Sequence, residues 1–164
     1  MTGNETVSAS APGKMIILGE HSVVYGKPAV AVAIDKRFYC KVSSSGEMYL
    51  NGRRVPAFVH PHIRSVLDDN GLTGIRMEAG TQIPTSSGLG SSAALSSSFS
   101  LAVRTLYSRP TDEETIAKDA FNAEWNAQGR ASPIDTSTCT HGKGVALNCP
   151  EGIGRKLWTV TKED

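Results

Sequence analysis

Four sets of side chains in this sequence are of types that do chemistry, and they lie far apart along the chain. The first is the run Ile83-Pro84-Thr85-Ser86-Ser87-Gly88-Leu89-Gly90-Ser91-Ser92-Ala93-Ala94. The second is Lys14, Glu20 and His21, polar residues set among apolar neighbours; the third is Glu124 and the fourth Asp135. On residue types alone the run reads as an anion site. Gly88 and Gly90 permit backbone angles that a side chain penalises and let a ligand approach the main chain. Pro84 fixes the direction of approach and offers no N–H. A helix starting at the serines aims unpaired N–H groups and the positive end of its dipole at whatever sits on the loop. Ser91 and Ser92 add hydroxyls suited to a phosphate oxygen or Mg²⁺. A Gly/Ser turn capping an ordinary helix is the plainer account, but the length and composition of Gly-Leu-Gly-Ser-Ser-Ala-Ala favour phosphate. No Gly-Lys-Ser/Thr closes the run as in a Walker loop, and the third Gly of a dinucleotide fingerprint is missing.

The elements that must position these groups follow from periodicity. Gly74 to Glu78 reads as a strand leading into the loop, and Leu95, Phe99, Ala102 and Leu106 recur at helical spacing after it. Val7 to Ala11 reads as a strand broken by Pro12-Gly13, with Met15 to Leu18 resuming an apolar run. Ala29 to Ile34 and Phe38 to Ser43 read as two further strands, and Glu47 to Val55 as a hairpin turning at Asn51-Gly52. Ile63 to Asn70 is a short helix closed by Gly71; His60 and His62 beside it lack further ligands at metal spacing and read as surface or capping residues. Thr111 and Glu114 form an expected capping box for a helix from about Asp112 to Gln128, stopped by Gly129. Its expected apolar face, Ala117, Ala120, Phe121 and Ala127, includes Glu124. A carboxylate on that stripe is either paired with an arginine such as Arg104 or Arg130 or reserved for a cation. Asp135, taken alone, is best explained as the N-cap of a short helix. Val145 to Leu147 and Arg155 to Val160 read as strands, with Trp158 in the core. Strands early and helices late make the fold class α+β.

Composition excludes several functions. The 164 residues, 39% of them hydrophobic, suffice for one domain with a real core. A net charge of +1 without any basic run leaves no footprint for nucleic acid. No apolar segment reaches membrane-spanning length, and Met1 to Glu5 lacks the pattern of a signal peptide. Cys40, Cys139 and Cys149 are without metal-ligand spacing and read as reduced thiols of a cytoplasmic protein.

Taken together, these motifs resemble a known family. Pro84-x-x-x-Gly88-Leu-Gly-Ser-Ser-Ala-Ala94 is similar to the nucleotide-phosphate loop of the GHMP kinases. Ala11-Pro-Gly-Lys14, followed by Gly19-Glu-His-x-Val-Val-Tyr-Gly26, resembles the opening motif of the mevalonate kinases within that superfamily. Ala131-Ser-Pro-Ile-Asp-Thr136 resembles their aspartate segment, with Pro133 where many members carry Gly, as in the archaeal type. The resemblance implies an N-terminal domain of ribosomal-protein-S5-like fold over residues 1–164, and phosphorylation of mevalonate by ATP with Mg²⁺ in isoprenoid biosynthesis. It implies that Pro84, Ser87, Gly88, Leu89, Gly90, Ser91, Ser92, Ala93 and Ala94, with Glu20, bind the nucleotide. It further implies that Ser92 and Glu124 hold Mg²⁺, that Lys14, His21, Asp135 and Thr136 contact the acceptor, and that Asp135 and Lys14 are catalytic. The Gly-rich third motif of these kinases does not follow Asp135, so a C-terminal domain or separate partner chain is expected to complete the enzyme, and self-association of the open end is a further expectation. A non-catalytic nucleotide- or partner-binding half is the alternative from a different class. Phosphomevalonate kinase is the alternative within the superfamily, disfavoured by the neutral Tyr25 and by His21 where an extra dianion would call for Lys or Arg.

Overall fold

The computed structural model describes residues 5–56, 58, 60–84, 86–148 and 155–156. Its centre is a long strand, β2 (Ala29–Ser44), flanked along its length by β1 (Thr6–Leu18) in antiparallel register. The other edge of β2 is shared end to end. Strand β5 (Ile75–Thr81) pairs with Phe38–Ser44, and β6 (Gly144–Leu147) pairs with Ala29–Val32. The hairpin of β3 (Tyr49–Leu50) and β4 (Arg53–Arg54) continues the sheet beyond β5, and β7 (Arg155–Lys156) continues it beyond β6. Asn51 and Gly52 both take positive φ, 48° and 77°, the geometry that a two-residue hairpin turn of the expected kind demands. Trp158, Val160 and Cys149 lie outside the described residues.

Pro12-Gly13 does not end a strand. The chain runs through it, and Pro12 and Lys14 pair with Arg37 and Ala33, so β2 carries two extra residues across the kink. These bulges absorb the punctuating residues within two continuous strands rather than four short ones. Gly13 is required at the kink because a Cβ there would stand 2.8 Å from the Leu89 carbonyl oxygen.

Helices α2 (Ser91–Leu106) and α4 (Pro133–His141) lie on β1 and β2, while α3 (Glu113–Gln128) packs against α2, α4 and α1 (Pro61–Asp69). Phe99, Ala94 and Val103 of α2 meet Phe38, Val42 and Met77 of the sheet and Leu67 of α1 in the main core. Phe99 is fully buried and contributes about 2–3 kcal/mol by that burial alone. A second cluster, Ala29, Ala31, Val145, Leu147, Val23 and Ile134, holds α4 against the other end of β2. The α+β class is as expected. Two local expectations are corrected. Asp112, not Thr111, caps α3, accepting from the Thr115 N–H at 2.9 Å. The buried face of α3 is Ile116, Asp119, Ala120, Ala123 and Glu124, turned by a residue from the expected stripe. Asp112 wins the cap because its side chain grips both the N–H and the hydroxyl of Thr115, which holds its carboxyl below the ordinary value.

Candidate active site at the phosphate loop

Strand β5 ends at Thr81, and the loop from Gln82 to Gly90 delivers the chain to α2. The loop holds its shape through its own backbone. Ser86, Gly88 and Gly90 have positive φ, and the Ser87 hydroxyl donates to the Pro84 carbonyl at 2.7 Å. Gly90 occupies the cap position in a left-handed conformation, and among the described residues no side chain caps the helix. The first N–H groups of a 16-residue helix therefore face the loop uncovered. Ala93 and Ala94 have their side chains in the core and line neither cavity at the loop. Ala94 must be taken out of the expected donor set, because its N–H is bound to the Gly90 carbonyl at 2.9 Å.

Lys14 ties this loop to α4. Its backbone N–H donates to the Leu89 carbonyl at 2.9 Å, and its ammonium meets Asp135 Oδ1 at 3.0 Å. The Lys14 stem crosses Gly90 so closely that a Cβ there would stand 2.8 Å from it. Gly90 thus serves twice, for its positive φ and for its missing side chain. Asp135 is not the N-cap of α4. Ser132 takes that position, Pro133 follows at the first helical residue, and Asp135 in the first turn accepts from the Ser132 hydroxyl at 3.1 Å. Cys139, one turn further along α4, packs behind the loop with its thiol pushed well above the usual range, first by burial and second by the Asp135 charge. Such burial disfavours the thiolate that nucleophilic chemistry needs.

Two cavities meet at the Lys14–Asp135 pair. One, of about 470 Å³, is lined by Pro84, Ser86 to Ser92 and Leu95 together with Lys14, Glu20 and Asp135. The other, of about 380 Å³, is lined by Lys14, Glu20, Ser92, Glu124, Gln128, Arg130, Ser132 and Asp135. The loop, Lys14, Glu20, Glu124 and Asp135 are thus brought together. A cavity on the outer face of the sheet, between Ser8, Tyr39, Lys41 and Glu78, contains none of them. His21 is exposed and lines neither cavity at the loop. Thr136 is buried, and its hydroxyl is directed at the Ser132 and Pro133 carbonyls of its own helix, so it does not reach the cavity expected for it.

Glu124 is 8% exposed, yet its expected arginine partners are elsewhere. Arg104 pairs with Asp119, and Arg130 is exposed at the cavity lining. Gln128 donates its amide to Glu124 Oε2 at 3.0 Å. His62 Nε2 stands 3.4 Å from Oε1 without making a hydrogen bond, and Oε1 is buried with no hydrogen-bond partner among the described residues. A buried, unpaired carboxylate oxygen is costly unless something else neutralises it. It fits a hard divalent cation, and the Ser92 hydroxyl lining the same cavity is a second oxygen of the right kind. Among the described residues no three His, Cys, Asp or Glu side chains gather into a metal cage. A cation held by Ser92 and Glu124 would therefore complete its shell with phosphate and water, as Mg²⁺ does. Sequence reading missed His62 and Gln128; the only trace was that Gln128 follows Glu124 by four residues.

Residues 57–143 match the family model for the GHMP kinase N-terminal domain. The chain belongs to the GHMP kinases. It is 38% identical over 153 residues to the mevalonate kinase of Methanothermobacter thermautotrophicus, covering 86% of this chain and 50% of that one. It is 39% identical over 145 residues to the mevalonate kinase of Archaeoglobus fulgidus, covering 82% and 50%. The fold is similar to that of Methanococcus jannaschii mevalonate kinase, with a TM-score of 0.74 at 27% identity over 96% of this chain and 57% of the other. It is equally similar in TM-score, 0.74, to L. major mevalonate kinase solved with R-mevalonate, at 26% identity over 94% and 51%. The chain thus spans about half the length of the curated relatives it matches. Among the described residues no helix is long and apolar enough to cross a membrane.

Proposed function

We propose that this chain is the nucleotide- and acceptor-binding half of an ATP-dependent kinase that phosphorylates the 5-hydroxyl of mevalonate. The observation that carries the reading is the 3.0 Å Lys14–Asp135 pair, set where the loop cavity and the Glu124 cavity meet. Relatives named mevalonate kinase at 38% and 39% identity supply the acceptor.

The loop and the first turn of α2 bind the phosphate chain of ATP through backbone donors and the helix dipole. Mg²⁺ held by Ser92 and Glu124 supplies neutralising charge to those phosphates when bound. Asp135, steadied by the Ser132 hydroxyl, accepts the proton of the acceptor hydroxyl as its oxygen forms the new P–O bond and ADP departs. Lys14, almost buried, offsets the charge growing between Asp135 and the transferred group. Fixed charges in a site with little water reorganise little during the reaction, so positioning and electrostatics carry most of the acceleration. We assign the facing wall of the cleft to a second domain, on a longer chain or a separate one, of the length the relatives possess beyond the matched half. Met15, Ile17, Leu18 and Tyr25, exposed around the site end of β1, are the apolar side chains it would cover; a second copy of this chain is the other occupant to test.

The deciding assay supplies ATP, Mg²⁺ and mevalonate to the purified chain, alone and with the C-terminal half of an archaeal relative added in trans. Formation of 5-phosphomevalonate, greater with the added half, is expected. Nucleotide binding without turnover under both conditions would overturn the kinase reading in favour of a non-catalytic nucleotide-binding half.

A further inference from the structure

Glu124 is held by two side chains to which no role has been given. A glutamate has three rotatable bonds, and freezing it costs side-chain entropy. Here the freezing is done in advance. Gln128, one turn further along α3, donates to Oε2 at 3.0 Å. The same amide nitrogen lies 3.4 Å from His62 Nε2 on α1. One amide proton therefore reaches the carboxylate and the other reaches the imidazole. The imidazole of α1 and the amide of α3 thus stand together beside the carboxylate. Nε2 also stands 3.4 Å from Oε1, within ion-pair range but not aligned as a hydrogen bond.

We propose that His62 and Gln128 are positioning residues that fix the Glu124 carboxylate, with Oε2 tied down and Oε1 left open for a divalent cation. The proposal rests on the reading of Glu124 as a cation ligand. The pair does two jobs that an arginine would do badly. It fixes the carboxylate without a guanidinium fork that would occupy both oxygens, and it leaves the lone pairs of Oε1 free of any hydrogen bond. It also connects α1 to the site, although α1 lends no residue to the lining of either cavity. His62 and Glu124 are brought together by the packing of α1 on α3.

The test is a Mn²⁺ titration of the full chain in the presence of ADP, read by electron paramagnetic resonance, beside the thermal unfolding midpoint without metal. His62→Ala and Gln128→Leu should each weaken Mn²⁺ binding about tenfold, the usual cost of losing a residue that orients a ligand. The metal-free midpoint should stay near that of the unsubstituted chain. His62→Gln, which retains an acceptor within reach of Gln128, should recover most of the affinity. Unchanged Mn²⁺ affinity in His62→Ala would overturn the proposal. So would a loss that tracks a fall in the midpoint and is not rescued by His62→Gln. Glu124→Gln separates this failure from a deeper one. If that variant weakens Mn²⁺ binding while His62→Ala does not, only the positioning role is wrong. If it binds like the unsubstituted chain, or if the unsubstituted chain binds no Mn²⁺ with ADP, Glu124 is not a ligand and both readings go.

Discussion

Helix α3 buries two carboxylates five residues apart, and they have opposite surroundings. Asp119 is closed. Its Oδ2 accepts from the Ser100 hydroxyl at 2.6 Å and from Arg104 Nε at 2.6 Å, and its Oδ1 accepts from Arg104 Nη2 at 3.0 Å. Glu124 is open, with one oxygen held by Gln128 and the other without a donor. Both are less than a tenth exposed, so burial alone does not distinguish them. Satisfaction does. A buried charge that meets a guanidinium fork and a hydroxyl is a fastening between helices. A buried charge left half satisfied, at the mouth of a cavity shared with Lys14, Ser92 and Asp135, is a place kept for something else.

That contrast can be broken by substitution. The largest effect should come from Asp135, the third acidic residue of the region. Asp135→Ala should lower turnover by about 10²–10⁴-fold, the span of a lost general base, while nucleotide binding followed by titration stays largely intact. Retained turnover would remove Asp135 from the chemistry. Next is the Asp119 and Glu124 pair itself. Asp119→Ala strands Arg104 and should cost about 3–5 kcal/mol in denaturant unfolding. Glu124→Gln, in the same experiment, should leave stability unchanged or slightly raised, since it removes a buried carboxylate whose Oε1 accepts no hydrogen bond. Equal losses from the two would erase the difference between them. The smallest effect concerns Asp69, whose carboxyl is held above its ordinary value first by burial and second by the neighbouring Asp119. A raised carboxyl binds its proton more tightly folded than unfolded. Its contribution is therefore full below the ordinary carboxylate range and is lost as pH rises through the folded value. Asp69→Asn should gain slightly on the unsubstituted chain as pH climbs from acid to neutral. A difference that does not change with pH would mean that neither burial nor Asp119 raises the Asp69 carboxyl in the folded chain.

The sequence was readable where the signal is local. Gly88, Gly90 and the periodic Leu95, Phe99 and Ala102 place a loop and a helix without reference to anything distant, and Asn51-Gly52 names its own turn. Glu124 could be picked out because helical spacing put it on the buried side of α3. Its surroundings could not. Arg104 is 15 residues from Asp119, and His62 is brought to Glu124 only by helix packing, so neither pairing leaves a pattern in the chain. Pro12-Gly13 misled for a different reason. Such residues mark a break when the chain stands alone, but a neighbouring strand with two residues to spare can carry the chain through. Thr136 was named through the resemblance of its segment, and its hydroxyl faces the Ser132 and Pro133 carbonyls because on a helix adjacent residues point in different directions.

Lys14 grips the loop with its main chain and Asp135 with its side chain. Loop and acid are therefore not independently adjustable. Anything that lifts Leu89 from β1 also pulls the ammonium out of register with its acidic neighbour, and anything that draws Asp135 aside tugs on the strand beneath the loop. One lysine thereby couples the ground under the loop to the acid on the neighbouring helix.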